Sequence, residues 1–171
     1  YLNFPMNKFI LTYIGRLVPH KRVDFLIKGL SLIKQKINNV ILLIIGRGKI
    51  APYLKLCKRL GIHDVLFLGS VKDVIPYYEA TDLYVSASIH EGFGLPYIES
   101  QAFGVPIVAP NCGAAPEVVK NAGLLYMPFD VNDFAECVIT IYQSPKLYSL
   151  LANNAYKNVV NFDINKTVKM I

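Results

Sequence analysis

Residues 40–46 read Val-Ile-Leu-Leu-Ile-Ile-Gly, and they contain the longest uninterrupted apolar run of the chain, closed by a glycine. Consecutive β-branched and leucine side chains without polar alternation are typical of a parallel strand that is covered on both faces. A glycine directly after such a run marks the turn at which the strand ends. This stretch therefore predicts a central strand of a parallel sheet.

Five further apolar runs are spaced along the chain, and amphipathic stretches separate them. Additional strands are predicted at 9–14, 65–68, 83–86, 107–109 and 124–126. Apolar residues at helical spacing between Val23 and Ile37 predict a helix after the first strand, and a basic helix is expected at 52–60. Cap residues and first-turn prolines predict later helix starts near Asp73, Pro96, Asp130 and Ser144-Pro145. Six strands with helical crossovers predict an α/β fold with a doubly wound parallel sheet.

Length and composition favour one compact domain. The chain has 171 residues, of which 53% are hydrophobic and 18% charged, enough to form a substantial core. It shows neither an apolar run long enough to span a membrane nor a signal-peptide pattern. The three cysteines, Cys57, Cys112 and Cys137, are odd in number and widely spaced, which argues against a disulfide framework or structural zinc site. A reducing compartment is expected.

Charge is distributed unevenly along the chain. Residues 1–60 contain 12 Lys or Arg and a single acidic residue, whereas residues 61–171 contain 6 Lys or Arg and 11 acidic residues. This asymmetry fits a face that binds an anion, and it also fits solvated helix surfaces. The aromatic residues do not alternate with the cations as a base-stacking platform would, so nucleic acid is not expected as a partner.

Glycine-containing turns follow four of the predicted strands. They lie at 15–16, 46–48, 69–71 and 91–96. Because ligands of doubly wound sheets bind outside the carboxyl ends of the strands, these turns are expected to surround one site. Glycines let backbone N–H groups approach a ligand, and the helix starting near Pro96 supplies further donors. Arg16 and Lys21 add positive charge, so the pattern predicts a phosphate cradle.

Residues 91–99, Glu-Gly-Phe-Gly-Leu-Pro-Tyr-Ile-Glu, carry a specific family signature. The segment closely resembles the E-x7-E motif of retaining GT-B glycosyltransferases, and the group most similar to it is family 4, the glycosyl transferases group 1. Residues 15–21 resemble the diphosphate-binding segment of that family, 45–48 its glycine turn, and 67–71 its nucleobase edge. Residues 116–119, 123–125 and 129–130 also follow in the expected order.

The resemblance implies a role for each matching residue. Arg16, Lys21 and Glu91 are the predicted catalytic residues: the cations would stabilise the departing diphosphate, and Glu91 would hold the donor sugar. Glu99, which we place in the first helical turn, would reach the ribose diol with its carboxylate. The other predicted nucleotide-binding residues are Gly15, Gly46, Gly48, Val71, Gly92, Phe93, Gly94 and Leu95.

The resemblance also implies what surrounds the chain. Residues 1–171 would form the nucleotide-sugar donor domain, the Rossmann-like carboxyl-terminal half of a GT-B fold, and the amino-terminal acceptor domain would lie outside this chain. The parent would transfer a hexose of mannose or glucose type, as a mannosyltransferase does, from a GDP- or UDP-sugar to a glycan, lipid or protein hydroxyl. The isolated chain would be inactive. Residues 162–164 resemble the start of a helix that crosses back to the other half.

Cofactor and location follow in the same way. The sequence contains no Asp-x-Asp motif, so we expect a metal-independent enzyme without a cofactor, in which cations and helix N–H groups take the metal's role. A cytoplasmic protein is expected, and the basic helices allow peripheral contact with the inner face of a membrane. His90 is interpreted as an exposed loop residue rather than a general base.

Two alternatives and three departures stay open. A flavodoxin-like or dinucleotide-binding module is disfavoured because residues 15–20 lack a G-x-G-x-x-G turn. A non-catalytic sugar-nucleotide sensor is disfavoured by the intact pair of glutamates. The departures from the family pattern are Arg22 in place of a common glycine, Arg47 inside the glycine turn, and residues 112–115 in place of a double-glycine turn.

Overall fold

A single six-stranded parallel sheet organises the chain. A computed structural model describes residues 7–162 and orders the strands β3-β2-β1-β4-β5-β6. The strands are β1 (Phe9–Ile14), β2 (Val40–Ile45), β3 (Val65–Gly69), β4 (Leu83–Val85), β5 (Ile107–Pro110) and β6 (Gly123–Tyr126). The order reverses between β1 and β4, so a crevice for ligands is expected at the carboxyl ends of these two strands.

Seven α-helices are present among the described residues. They are α1 (Val23–Ile33), α2 (Ala51–Leu60), α3 (Ile75–Glu79), α4 (Leu95–Ala102), α5 (Ala115–Val119), α6 (Val131–Gln143) and α7 (Pro145–Val159). Short 3-10 helices occupy Pro19–Lys21 and Val160–Phe162. No helix among residues 7–162 is long and apolar enough to cross a membrane.

The core lies on both sides of β2, all six residues of which are buried. Leu42 and Ile44 pack with the apolar face of α1, whereas Ile41 and Leu43 face the opposite side with Ile10. Burial on both faces explains why the strand lacks polar alternation, and each buried Leu or Ile side chain contributes roughly 1.5–3 kcal/mol relative to exposure.

The structure confirms the predicted α/β fold with its doubly wound sheet. Every predicted strand is present, with ends within one residue of the prediction. Asp130 and Ser144 cap α6 and α7 with their side chains, and Asp73 accepts a hydrogen bond from the backbone N–H of Ile75 at the start of α3. These contacts satisfy N–H groups that have no partner within their helices.

One predicted helix needs correction, and two short helices were not predicted. The first helix ends at Ile33 rather than extending to Ile37, because the N–H groups of Gln35 and Lys36 bond three residues back and tighten the chain into a turn. Ile37 is still 2% exposed, since this turn folds it into the core. The helix α5 was not predicted, and neither was the 3-10 helix before Arg22. The proposed helix start at 162–164 extends beyond the described residues.

Candidate functional site

A groove of about 240 Å³ opens at the carboxyl ends of β1, β2 and β3. Each strand contributes the residues at which it ends and turns. The lining consists of Ile14, Gly15, Arg16, Ile45, Gly46, Arg47, Ser70, Val71 and Val74. The structure thus brings together four predicted site residues from three separate turns, namely Gly15, Arg16, Gly46 and Val71.

Gly46 allows the turns after β1 and β2 to pack closely. Its φ is +142°, and a Cβ atom at this position would lie 1.9 Å from the carbonyl oxygen of Gly15. The N–H of Gly15 donates to Ile45 at 2.9 Å, and the N–H of Gly46 donates to Gly69 at 2.7 Å. Because a side chain would collide with backbone here, glycine is required for the three turns to meet.

The loop from β4 into α4 holds the second group of predicted residues. Gly94 precedes α4 with a φ of +73°, and a Cβ atom there would lie 2.6 Å from the Tyr97 ring. No side chain caps the first turn of α4. Pro96 has no N–H and the N–H of Tyr97 donates to the carbonyl oxygen of Gly94 at 2.8 Å, so the N–H of Leu95 is the first-turn donor left for a ligand. Phe93 and Leu95 are 60% and 58% exposed, and Gly92 faces open space.

Lys21 and Glu91 form an ion pair between two loops. Lys21 ends the 3-10 helix after β1, Glu91 precedes α4, and the distance from Nζ to Oε1 is 2.5 Å. The side chains are only 13% and 16% exposed. The loops are also joined by the N–H of Ile89, which donates to the carbonyl oxygen of His20 at 3.1 Å. A predicted phosphate-binding cation therefore contacts the carboxylate predicted to hold the sugar.

Arg16 presents its side chain differently. It is exposed and makes no ion pair with any residue between 7 and 162. Its carbonyl oxygen accepts a hydrogen bond of 3.0 Å from the Tyr13 hydroxyl. Burial, together with the negative charge of Glu91, raises the pKa of Tyr13, so this hydroxyl stays a donor at neutral pH. The backbone of Arg16 is thereby held while its guanidinium remains accessible.

Glu99 lies in the second turn of α4, which corrects its predicted place in the first turn. The helix begins at Leu95, and its first turn contains no acidic residue. The Glu99 carboxylate accepts a hydrogen bond of 2.8 Å from the Tyr78 hydroxyl. The prediction counted from Pro96, whereas α4 begins one residue earlier at Leu95, and this one residue moves Glu99 beyond the first turn of the helix.

The departures from the family pattern have structural counterparts. Arg22 adopts a left-handed conformation with a φ of +49°, a geometry that glycine adopts without strain. Its guanidinium lies 4.9 Å from the Phe25 ring centroid and 4.6 Å from that of Phe129, which offsets part of that cost through cation–π contacts. The turn at 112–115 packs on the loop between β4 and α4, because a Cβ atom on Gly113 would lie 3.5 Å from the backbone of Glu91.

Not every predicted residue lines the groove. Gly48 pairs instead with Leu17 in an isolated parallel bridge beside it. Arg47, Ser70 and Val74 line the groove without having been assigned a role. Val74 directly follows Asp73, so the predicted helix start at Asp73 was the one sequence signal that could have indicated Val74 as a site residue. The rings of His20 and His90 lie 6.5 Å apart at the edge of the site, a proximity that sequence spacing did not indicate.

The described part of the chain contains no cluster of side chains suited to a metal ion. Among residues 7–162, His, Cys, Asp and Glu side chains form no group of three that could hold a metal ion. The cations Arg16, Lys21 and Arg47 are the charged groups at the strand ends that suit an anion.

A doubly wound sheet whose glycine turns and cations meet at the strand ends defines a class of α/β ligand-binding domain. Within that class, the chain belongs to the glycosyl transferases group 1 family, whose model matches residues 2–158. The fold matches GT-B glycosyltransferase structures. The flavodoxin-like alternative is not favoured.

Individual relatives add detail. A GDP-mannose-dependent monoacylated alpha-(1-6)-phosphatidylinositol monomannoside mannosyltransferase of Corynebacterium glutamicum is 32% identical over 84% of this chain and 40% of its own. The Anabaena HepE structure in complex with UDP has a TM-score of 0.83 and 27% identity, over 96% of this chain and 50% of its own.

A third similar protein is the carboxyl-terminal domain of a glycosyl transferase group 1 family protein, LpcC, from Francisella tularensis. Its structure has a TM-score of 0.79 and 27% identity, over 90% of this chain and 85% of its own. The chain spans between 40% and 47% of the length of the curated relatives it matches.

Proposed function

We propose that this chain is the donor-binding domain of a retaining, family 4 glycosyltransferase. The observation that carries the proposal is that three turns and Arg16 meet in one groove at the carboxyl ends of the strands. The Lys21–Glu91 pair and Glu99 lie outside the groove lining, on the segments that follow β1 and β4. Family membership supports transferase activity. Donor binding by these residues is inferred from their chemistry and from the UDP named with the HepE structure.

The cations have the chemistry that a diphosphate requires. Arg16 offers an exposed planar fork of donors, and Lys21 offers a compact ammonium group. As the bond from the sugar's anomeric carbon to the diphosphate breaks, negative charge grows on the departing oxygen, and both cations stabilise it. Each such charge-assisted contact contributes roughly 1.5–3 kcal/mol.

The two glutamates bind different parts of the donor, one the sugar and the other the nucleoside. Glu91, in the loop before α4, accepts hydrogen bonds from donor sugar hydroxyls and favours the positive charge that develops on the ring. Glu99 accepts from the ribose. In this proposal the diphosphate lies between them, close to the backbone at Gly15, Gly46 and Gly94, while Val71 borders the base.

The donor is a GDP- or UDP-hexose, with mannose and glucose as the candidate sugars. The corynebacterial relative is named for GDP-mannose, and the HepE structure for UDP, so both nucleotides are represented. No metal or other cofactor is needed in this proposal, because Arg16, Lys21 and the positive end of the α4 dipole at Leu95 take the diphosphate charge.

The acceptor enters from the missing half of the enzyme. The groove opens at the carboxyl ends of β1, β2 and β3, so an amino-terminal domain placed over it would close a cleft. Since transfer requires both walls to hold the reactants, the isolated chain binds the donor without turnover. In this proposal the parent is cytoplasmic, with peripheral contact at the inner face of a membrane through its basic helices.

Saturation-transfer NMR of the 171-residue chain with GDP, UDP, ADP, FMN and NAD tests the donor assignment. We expect a signal from GDP or UDP that weakens in Arg16→Ala and persists in Lys28→Ala, which changes an exposed lysine on α1. Binding of FMN or NAD alone would overturn the proposal. Because a carboxyl-terminal domain of a similar protein has been solved by itself, the chain is a reasonable unit for this measurement.

A further inference from the structure

Tyr78 contacts Glu99 from a neighbouring helix. Its hydroxyl, on α3, donates to Glu99 Oε2 on α4 at 2.8 Å. Tyr78 is 1% exposed, whereas Glu99 is only partly buried. A carboxylate has two oxygens with several acceptor positions, so a donor at Oε2 leaves Oε1 available for a ligand.

The ring of Tyr78 is held by other aromatic residues. It stacks on Phe103 with centroids 5.6 Å apart and an interplanar angle of 11°, and it packs against Tyr84 at 6.4 Å. It belongs to the buried cluster that also contains Tyr97 and Ile107. Because buried side chains pack at close to crystalline density, the hydroxyl has little freedom to leave Glu99.

The hydroxyl is also a permanent donor. Burial raises the pKa of Tyr78 first, and the negative charge of Glu99 raises it further. Tyr78 therefore stays protonated at neutral pH and well above it. A donor that cannot ionise holds the carboxylate oxygen in one place without adding charge to it.

The same short helix reaches the groove. Val74, one turn before Tyr78, lines the groove, and the N–H of Tyr78 donates to the carbonyl oxygen of Val74 at 3.1 Å. The helix α3 thus connects the groove wall at Val74, which lies beside the proposed nucleobase edge, to Glu99, whose carboxylate is proposed to bind the ribose. The distance between these two features is set by one helical turn.

We propose that Tyr78 is a positioning residue that orients Glu99 and thereby determines how strongly the site prefers a ribose diol. The inference rests on the proposed function, because it takes the ligand to be a nucleoside diphosphate. Tyr78 itself does not touch the ligand. It holds Oε2 so that Oε1 accepts from the ribose hydroxyls, and it reduces the entropy that Glu99 would lose on binding.

The test compares ligands with and without the diol. Calorimetry on the 171-residue chain measures Kd for GDP and UDP and for their 2′,3′-dideoxy forms. The unmodified chain is expected to prefer the ribose form by roughly tenfold or more, as a hydrogen bond to a charged group would give. In Tyr78→Phe this preference falls by roughly threefold or more while the dideoxy ligands bind as before.

Two controls separate positioning from stability. Tyr126→Phe removes another buried hydroxyl, which donates to the carbonyl oxygen of Ser86 at 2.9 Å, and should leave the preference unchanged. In a Glu99→Ala background, adding Tyr78→Phe should not change the preference further, because the carboxylate it orients is gone. A ratio of two dissociation constants measured on one preparation is unaffected by a partly unfolded fraction.

The outcomes distinguish this inference from the function beneath it. Binding of neither GDP nor UDP by the unmodified chain would overturn the proposed function and the inference together. Binding of a ribose diphosphate with no preference over its dideoxy form, or with a preference that Tyr78→Phe leaves intact, would overturn the positioning role alone. A change in the preference that Tyr126→Phe reproduces would also overturn it.

Discussion

Lys21 Nζ and Glu91 Oε1 lie 2.5 Å apart, although the two residues are 70 positions apart in the chain. The pair joins the two residues to which we assign adjacent parts of the donor, the diphosphate and the sugar. A phosphate oxygen that approaches Lys21 competes with Glu91 for the ammonium group, and sugar hydroxyls that approach Glu91 replace the donors it loses. Recognition of the sugar and of the diphosphate is thus coupled through one ion pair.

Glu91→Gln should tighten binding of the sugar-free diphosphate. Sequence alone suggests unchanged affinity, because a free diphosphate carries no sugar; the ion pair revises this, since the neutral amide no longer competes for Lys21. We expect Kd for GDP or UDP to fall by roughly threefold to tenfold, measured by calorimetry. Glu136→Gln, which changes an exposed glutamate on α6, is the matched control. A higher Kd for GDP or UDP in Glu91→Gln would instead show that this carboxylate contributes to nucleotide binding.

The same variant, Glu91→Gln, should lower turnover although it tightens binding of the diphosphate. In the full-length parent enzyme, Glu91→Gln should lower kcat by roughly 10² to 10³, the loss typical of one electrostatic group at a reacting centre. The variant keeps the size and hydrogen-bonding capacity of the side chain and removes only its charge. Unchanged turnover would remove Glu91 from the chemistry.

Arg16 and Lys21 should distinguish nucleoside diphosphate from monophosphate. Each substitution to alanine should cost roughly tenfold or more in diphosphate affinity, and the preference for GDP over GMP, or UDP over UMP, should shrink. Arg16→Ala should have the larger effect, because Arg16 has no ion pair to give up within the described residues, whereas Lys21 must leave Glu91. Equal affinity of the unmodified chain for mono- and diphosphate would contradict the assignment.

Gly46→Ala should destabilise the domain and close the groove. The added Cβ would lie 1.9 Å from the carbonyl oxygen of Gly15, so the turns must separate, at a cost of about 3 kcal/mol or more. Gly61→Ala is the matched control, because Gly61 also has a positive φ, +65°, and a Cβ there meets nothing within 4 Å. It should cost only about 1 kcal/mol. Urea unfolding of both variants measures the difference, and equal costs would refute the close-packing argument.

Asp64 should make stability depend on pH in the acid range. Burial acts to raise the pKa of its carboxyl group, but hydrogen bonds from Lys34 and Lys8 outweigh burial and lower it. A lowered pKa means that the stabilisation is complete above the ordinary aspartate value of about 3.9 and is lost as pH falls through the folded-state pKa. Asp64→Asn should therefore cost about 1 kcal/mol at pH 7 and progressively less below pH of about 4.

Urea unfolding at a series of pH values checks this expectation. The control is Asp24→Asn, which breaks an exposed pair with Lys28 on one face of α1 and should change the unfolding free energy by only about 0.3–0.5 kcal/mol. A cost of Asp64→Asn that stays constant down to pH of about 2.5 would show that the ion pairs are not its source.

Much of the fold could be predicted because its signals are local. The strand 40–45 is apolar throughout since both of its faces are covered, and the starts of α6 and α7 follow from caps that need only the next three residues. Short helices were harder to predict. The helix α5 has five residues, too few to show a periodic pattern, and the end of α1 depends on a turn that apolar spacing does not reveal.

Candidate site residues could likewise be proposed from the sequence, as glycine turns after strands and as the segment 91–99. By itself, the sequence determined the α/β class, the strands, and the end of the sheet at which a ligand should bind, because turn glycines, caps and apolar runs act over a few residues. Only the tertiary structure decided that Lys21 contacts Glu91 and that Tyr78 contacts Glu99. Such partners are chosen by how β1 and β4 pair and how α3 packs beside α4, and packing between distant segments leaves no periodic trace in the chain.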